Sequence, residues 1–164
     1  MSTAAATLPA PTIRRATALD HDAVVALQVD SQNEEAALHP SRASGEEVRG
    51  VAWEMIHLRQ GLMFVAEAEG ALVGHVGGAH VLDSSPFFKP EWRHYGLIFD
   101  LYVRPEFRRR GLAKRLVHAM SDALLESGAH RLRIVGLANN DAALALYRGL
   151  GFSDYEVTLE KTRA

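Results

Sequence analysis

The stretch Val103-Arg104-Pro105-Glu106-Phe107-Arg108-Arg109-Arg110-Gly111-Leu112-Ala113 decides how this chain is read. It follows Leu97 to Val103, an apolar run broken only by Asp100, which suits a central strand covered on both faces. It leads into Leu112, Leu116, Met120 and Leu124, spaced four residues apart as on the inner face of a helix that Ser127-Gly128 stops. The order is therefore strand, arginine-rich loop, and a helix whose first turn holds Gly111 and Ala113. The first amides of such a helix lack internal partners, and its dipole puts partial positive charge there. Small residues let a pyrophosphate come close to those amides. Arg108, Arg109 and Arg110 supply charge for outlying phosphates. Neither the Gly-x-Gly-x-x-Gly fingerprint nor the Gly-x-x-x-x-Gly-Lys-Ser/Thr loop is present. On these residues alone, a solvated arginine run is the competing reading.

Working outward, Arg131 to Leu137 reads as the next strand, Asn140 to Leu150 as a helix closed by Gly151, and Tyr155 to Glu160 as a last strand. Upstream, Ile13 to Ala16 reads as a short strand. Asp20 is placed to cap a helix reaching about Ser31, with Ala23, Val24, Leu27 and Asp30 on the helical period. Ser44 to Arg59 predicts a second helix, opened by Ser44-Gly45-Glu46-Glu47 in capping-box form and ended by Gly61. Leu62 to Glu67 and Leu72 to His80 predict strands joined by a turn at Glu69-Gly70. Asp83 to Arg93, with Pro86 and Pro90, reads as a loop. The alternation in the second half argues for an α/β sheet with at least one parallel crossover.

Composition bounds the function. A chain of 164 residues, 48% hydrophobic and 23% charged with net charge −2, fits one domain and carries no overall attraction to nucleic acid or membrane. There is no cysteine, which excludes disulfides, thiolate metal sites and a cysteine nucleophile. Met1 to Thr12 lacks the basic start and apolar run of a secretory signal and reads as a disordered leader before one domain over 13–164. No apolar run approaches the roughly 18 residues of a membrane span, so a soluble, cytoplasmic protein is expected.

A second motif joins the first. Arg108, Gly111 and Ala113 form Arg-x-x-Gly-x-Ala, which looks like the coenzyme A pyrophosphate motif of the GNAT acetyltransferases. About 30 residues later, Asn139-Asn140-Asp141-Ala142-Ala143-Leu144-Ala145-Leu146-Tyr147-Arg148-Gly149-Leu150-Gly151-Phe152 resembles the same family's Asn-x-x-Ala-x-x-Leu-Tyr-x-x-x-Gly-Phe signature at every specified position. The resemblance extends from Ile13 to Glu160, with its specificity between Leu97 and Phe152. It implies a mixed six- to seven-stranded sheet, splayed between its central parallel strands and flanked by about four helices.

The family resemblance implies roles residue by residue. Amides from Arg109 through Leu112 to Ala113 take the acetyl-CoA pyrophosphate, with Arg108 and Arg110 beside them. The strand edge Leu101, Tyr102, Val103 pairs with the pantetheine arm where the neighbouring strand diverges, and an amide near Leu101 polarises the thioester carbonyl. Tyr147 stands where the family's general acid stands; the competing reading is an aromatic that packs helix on sheet. Asn140 either caps its helix or contacts the arm. Histone-type relatives carry a glutamate on the fourth strand where this chain has apolar Leu97, so Asp100 is the one acid there. Diamine acetyltransferases have Glu-Asp where Phe99-Asp100 stands, which puts polyamine selectivity in doubt. Asp100 either orients or deprotonates the amine, or is a buried structural carboxylate; His80 and Asp83 are weaker base candidates.

The expected activity is N-acetyl transfer to a primary amine, small molecule or peptide, by direct attack within a ternary complex, since no cysteine can carry an acetyl group. A non-catalytic acetyl-CoA sensor is the rival. No metal is expected, because the eight histidines show no ligand spacing. A nucleic-acid role for Arg108 to Arg110 lacks an aromatic platform or broader basic face. Ser84-Ser85 lacks a hydrolase nucleophile context. Glu34, Glu35 and Glu46 are placed to attract a cationic amine or to form a solvated helix face. The acceptor's identity stays open, and so does a homodimer, which is common in such folds.

Overall fold

The computed structural model describes residues 10–161 and 163. Of the expected leader, residues 1–9 lie outside that range, and Thr12 already begins the first strand. Five strands form one sheet in sequential order: β1 (Thr12–Arg15), β2 (Leu62–Ala68), β3 (Ala71–Leu82), β4 (His94–Val103) and β5 (Leu132–Ile134). The first four are antiparallel neighbours; β4 and β5 are parallel. Among the described residues, four α-helices flank them: α1 (His21–Leu38), α2 (Val51–Leu58), α3 (Leu112–Glu126) and α4 (Asp141–Gly149).

The sheet separates two apolar layers. On one face α3 buries Leu112, Leu116, Val117, Met120 and Leu124 against Val73, Val76, Ile98 and Val103. On the other, Val24 and Leu27 of α1 and Ile56 of α2 meet Val65, Leu72 and Tyr102. The four-residue spacing of α3 is the reason for its burial: at 3.6 residues per turn it keeps one stripe on the sheet.

Several expectations are corrected. The sheet has five strands among the described residues, where six to seven were expected. Arg131 to Leu137 pairs with β4 only over Leu132–Ile134, because Gly136 turns away to pack against Tyr147 and Leu144 of α4. Tyr155 to Glu160 forms no strand: an alternating pattern sets a conformational preference, but a strand also needs a neighbour for its amides and carbonyls. Helix α2 begins at Val51, seven residues later than Ser44. Ser44 does bind Glu47 Oε2 through its amide and hydroxyl, both at 2.7 Å. Gly50, in the left-handed region at φ 79°, then interrupts the helix. Asp20 precedes α1, but its carboxylate does not cap it. It accepts instead from the Thr17 amide (2.7 Å) and hydroxyl and from two guanidinium nitrogens of Arg14 at 2.8 Å.

β4 carries the irregularity on which the site depends. Gly77 pairs with Phe99 and His75 with Tyr102, so Asp100 and Leu101 together oppose Val76. This is a β-bulge with its first residue, Asp100, at φ 55°, a conformation aspartate tolerates better than most residues.

Candidate active site

Beyond Ile98, β4 has β3 on one side and no strand on the other among the described residues, since β5 pairs only with Gly96 to Ile98. The edge from Phe99 to Val103 therefore offers unpaired backbone groups, and the bulge lies within it. At its end, Pro105–Phe107 forms one turn of 3₁₀ helix, and Arg108 to Arg110 lead to α3. Gly111 precedes α3 at φ 75°, with open space where a β-carbon would stand, and no side chain caps the helix. Its first amides and its positive dipole end are thus free for an anion. The splayed edge and the uncapped helix end together form a strip with unpaired polar backbone at one end and positive potential at the other.

The three arginines do not act alike. Arg109, at φ 60°, and Arg110 are exposed beside Gly111. The Arg108 guanidinium turns back: Nε donates to the Val103 carbonyl at 2.7 Å, Nη2 to Glu34 Oε1 at 2.6 Å, and the group lies over the Tyr102 ring. Arg108 therefore ties the arginine loop to α1 and to the end of β4.

On the opposite side of β4, a cleft of about 350 Å³ opens between α1, α2 and the segment 39–50. Asp100 is on its wall, with Gln28, Gln32, Glu35, Arg42 and Met55. The segment 39–50 is held down by Gln32 Nε2 on the Ala43 carbonyl (2.9 Å) and by Asn33 Oδ1, which accepts from the Gly45 amide (2.8 Å). Asp100 Oδ2 accepts from Gln28 Nε2 at 2.6 Å. Its Oδ1 is 3.1 Å from Nε2 of His75, which is fully buried; the approach is off the line of a hydrogen bond, and Nδ1 has no partner. Asp100 is thus a carboxylate only 14% exposed, backed by an imidazole and open to the cleft.

Tyr147 of α4 is buried within the electrostatic reach of Glu35, which lines the cleft. Its phenol pKa is pushed up, chiefly by desolvation and further by the Glu35 carboxylate, so it keeps its proton at neutral pH. Gln28, which holds Asp100, and Glu35, which stands by Tyr147, are seven residues apart on α1, or about 10 Å along its axis. Asn140 caps α4, its Oδ1 accepting from the Ala143 amide, and Asn139 Nδ2 donates to the Leu38 carbonyl at 2.7 Å, tying α4 to the end of α1.

The remaining sequence candidates lie elsewhere. His80 contacts His94 (3.0 Å) and Ser127 (2.8 Å) near the far end of β3 from the bulge, and Asp83 accepts from the Ser85 amide in the following loop. Of the acids, Glu35 faces the cleft, while Glu34 pairs with Arg108 and Glu46 with Arg49. Sequence reasoning missed Gln28, His75 and the anchored segment 39–50. A glutamine and a histidine inside apolar runs were the available signal. Among the described residues, no three His, Asp or Glu side chains stand together as a metal site, and no helix is long and apolar enough to cross a membrane.

Comparison with known proteins agrees with this geometry. The family model for the acetyltransferase (GNAT) family matches residues 26–152. A curated acetyltransferase, YE1169 of Yersinia enterocolitica, is 36% identical over 95 residues, which cover 58% of this chain and 57% of that protein. Two crystal structures share the fold at 18% identity. A GCN5-related N-acetyltransferase from Ralstonia eutropha superposes with a TM-score of 0.73 over 93% of this chain and 98% of its own. A predicted acetyltransferase from Clostridium acetobutylicum, solved with acetyl-CoA, does so with 0.71 over 93% and 96%. The splayed β4, the uncapped glycine-led helix and a family match across more than half of the chain converge: this protein belongs to the GNAT acetyltransferase family.

Proposed function

We propose that the chain transfers acetyl from acetyl-CoA to a primary amine held in the cleft, directly within a ternary complex. The observation that carries this is the position of the bulge. It puts Asp100 on the cleft side of β4 while the opened edge of the same strand leads to the free N-terminus of α3. The amides from Arg109 to Ala113 would hold the pyrophosphate, and the Leu101 to Val103 edge the pantetheine arm. The thioester this co-substrate brings is the acetyl donor.

This chain's own groups supply the rest. An alkylamine is almost wholly protonated at neutral pH, and Asp100 would take a proton from it, directly or through one water. As nitrogen attacks the carbonyl carbon, the Leu101 amide would favour charge on the carbonyl oxygen. As the carbon–sulfur bond breaks, Tyr147, kept protonated by burial and Glu35, would donate to the departing sulfur. Excess protons return to solvent, and an amide and a free thiol result.

Thermal unfolding with acetyl-CoA, with ATP as the phosphate control, tests the cofactor. Ligand at 100 times its dissociation constant adds about 2.7 kcal/mol. A shift with acetyl-CoA alone, followed by thiol release across an amine panel, supports the reading. A shift without thiol release from any amine would favour a sensor; no shift in a cooperatively folding sample would overturn it.

A further inference from the structure

The face of the sheet that carries Asp100 continues beyond the helices that cover it. Tyr95, Leu97 and Phe99 alternate along β4 with Gly96 and Ile98, which face α3, so these three lie on the side that meets α1 and α2. β5 runs beside this stretch, with Arg133 opposite Leu97. Three residues of strand, roughly 10 Å, separate Leu97 from Asp100.

At that end two arginines share one cluster of rings. The Arg133 guanidinium lies 4.3 Å from the Tyr95 centroid and 4.4 Å from that of Tyr155, and Arg131 lies over Tyr95, Tyr155 and Trp92. Like charges held this way repel, and neither arginine forms an ion pair among the described residues. Stacking occupies the flat faces of a guanidinium and leaves the N–H groups at its edge unused. Arg131 Nη2 donates to the Trp92 carbonyl. In Arg133, by contrast, Nε and Nη2 are both buried without an acceptor. Those two nitrogens form one edge of the fork, which a carboxylate can engage with both of its oxygens. Two of the surrounding rings, Phe88 and Tyr155, belong to irregular segments and can give way without breaking a strand.

We propose that Arg133, with Arg131 beside it, binds a carboxylate of the acceptor. The favoured acceptors are then amines that carry a carboxylate roughly 10 Å from the nitrogen to be acetylated, a span that three residues of extended peptide cover. Such a molecule lies along Phe99 and Leu97 with its cationic end at Asp100 and its anionic end at Arg133. Arg59, over the Phe99 ring, adds positive charge along the way. This inference rests on the role proposed above for Asp100 and names the substrate class of that site.

Triglycine and its C-terminal amide differ only in the charge at issue. Calorimetric titration of the whole protein with coenzyme A present should show the acid binding about 10- to 100-fold more tightly, the usual worth of hydrogen bonds to a charged group. Arg133→Gln should abolish that preference and leave the affinity for the amide unchanged. In thiol release the preference should appear in KM, with similar kcat for the two peptides. Equal affinities in the parent protein, or a preference that survives in the Arg133→Gln variant, overturn the proposal. So does displacement of triglycine by a lower concentration of a single-stranded oligonucleotide, which would assign the rings and arginines to nucleic acid. A calorimetric preference without thiol release upholds the carboxylate site and counts against acetyl transfer at Asp100. Should the variant fail to fold, the comparison of acid and amide on the parent protein decides.

Discussion

Asp100 and His75 stand 3.1 Å apart on adjacent strands although they are not register partners; the extra residue in β4 brings the carboxylate over the imidazole. Asp100→Asn preserves shape and removes the proposed base. Loss of a general base costs typically 10²- to 10⁴-fold in rate, so kcat should fall within about that range while the acetyl-CoA thermal shift remains. Stopped thiol release with an unaltered shift is the expected pair of readings.

Tyr147→Phe should lower kcat by about 10²-fold or more with little change in KM for acetyl-CoA, since the proposed mechanism then loses only the group acting on the departing sulfur. A pH profile adds a check. The folded pKa of Tyr147 is raised above the ordinary 10.0, so the phenol stays protonated throughout the neutral range. Its burial contributes stability that is full below pH 10 and lost as pH climbs through the higher folded value. Thermal unfolding above pH 10 should therefore show a smaller alkaline loss for the phenylalanine variant.

Asp20 has the opposite sign. The Arg14 guanidinium, and then the Thr17 amide and hydroxyl, hold its carboxyl far below the ordinary 3.8. The resulting stability is present above pH 3.8 and lost as pH falls toward the folded value. Asp20→Asn should cost roughly 1.5–3 kcal/mol at neutral pH, the worth of hydrogen bonds to a charged group, and should flatten the acid limb of unfolding.

Gly45 packs so closely on α1 that an added β-carbon would overlap the Val29 carbonyl and lie 2.7 Å from its Cα. Gly45→Ala should lift the segment 39–50 from the helix at a cost of about 1–3 kcal/mol. Amine KM should rise while the acetyl-CoA shift is kept, which steady-state kinetics and unfolding can separate.

The legible parts of this protein were those set by local chemistry. Leu112 to Leu124, the Glu69-Gly70 turn and the Asn140 cap all stand where residue spacing put them, because each depends on neighbours within one turn. The Asp100 position was visible, but its setting was not: Gln28 and His75 reach it across 72 and 25 positions of sequence, and no periodicity encodes such a meeting. The missing strands have the same origin. Val135 and Tyr155 have strand-like sequence, yet neither has a strand partner among the described residues.

The extra residue at Asp100 also divides β4 into two halves of opposite phase. Ile98 and Val103, an odd number of residues apart, both face α3, and Phe99 and Tyr102, also oddly spaced, both face α1 and α2. Removing Asp100 would leave a regular alternation, with Ile98, Leu101 and Val103 still in the α3 layer and Phe99 and Tyr102 still facing α1 and α2; only the carboxylate beside Gln28 and His75 would be lost. The bulge is therefore an addition that the two packed layers do not need, and what it adds to the strand is a carboxylate on the cleft wall.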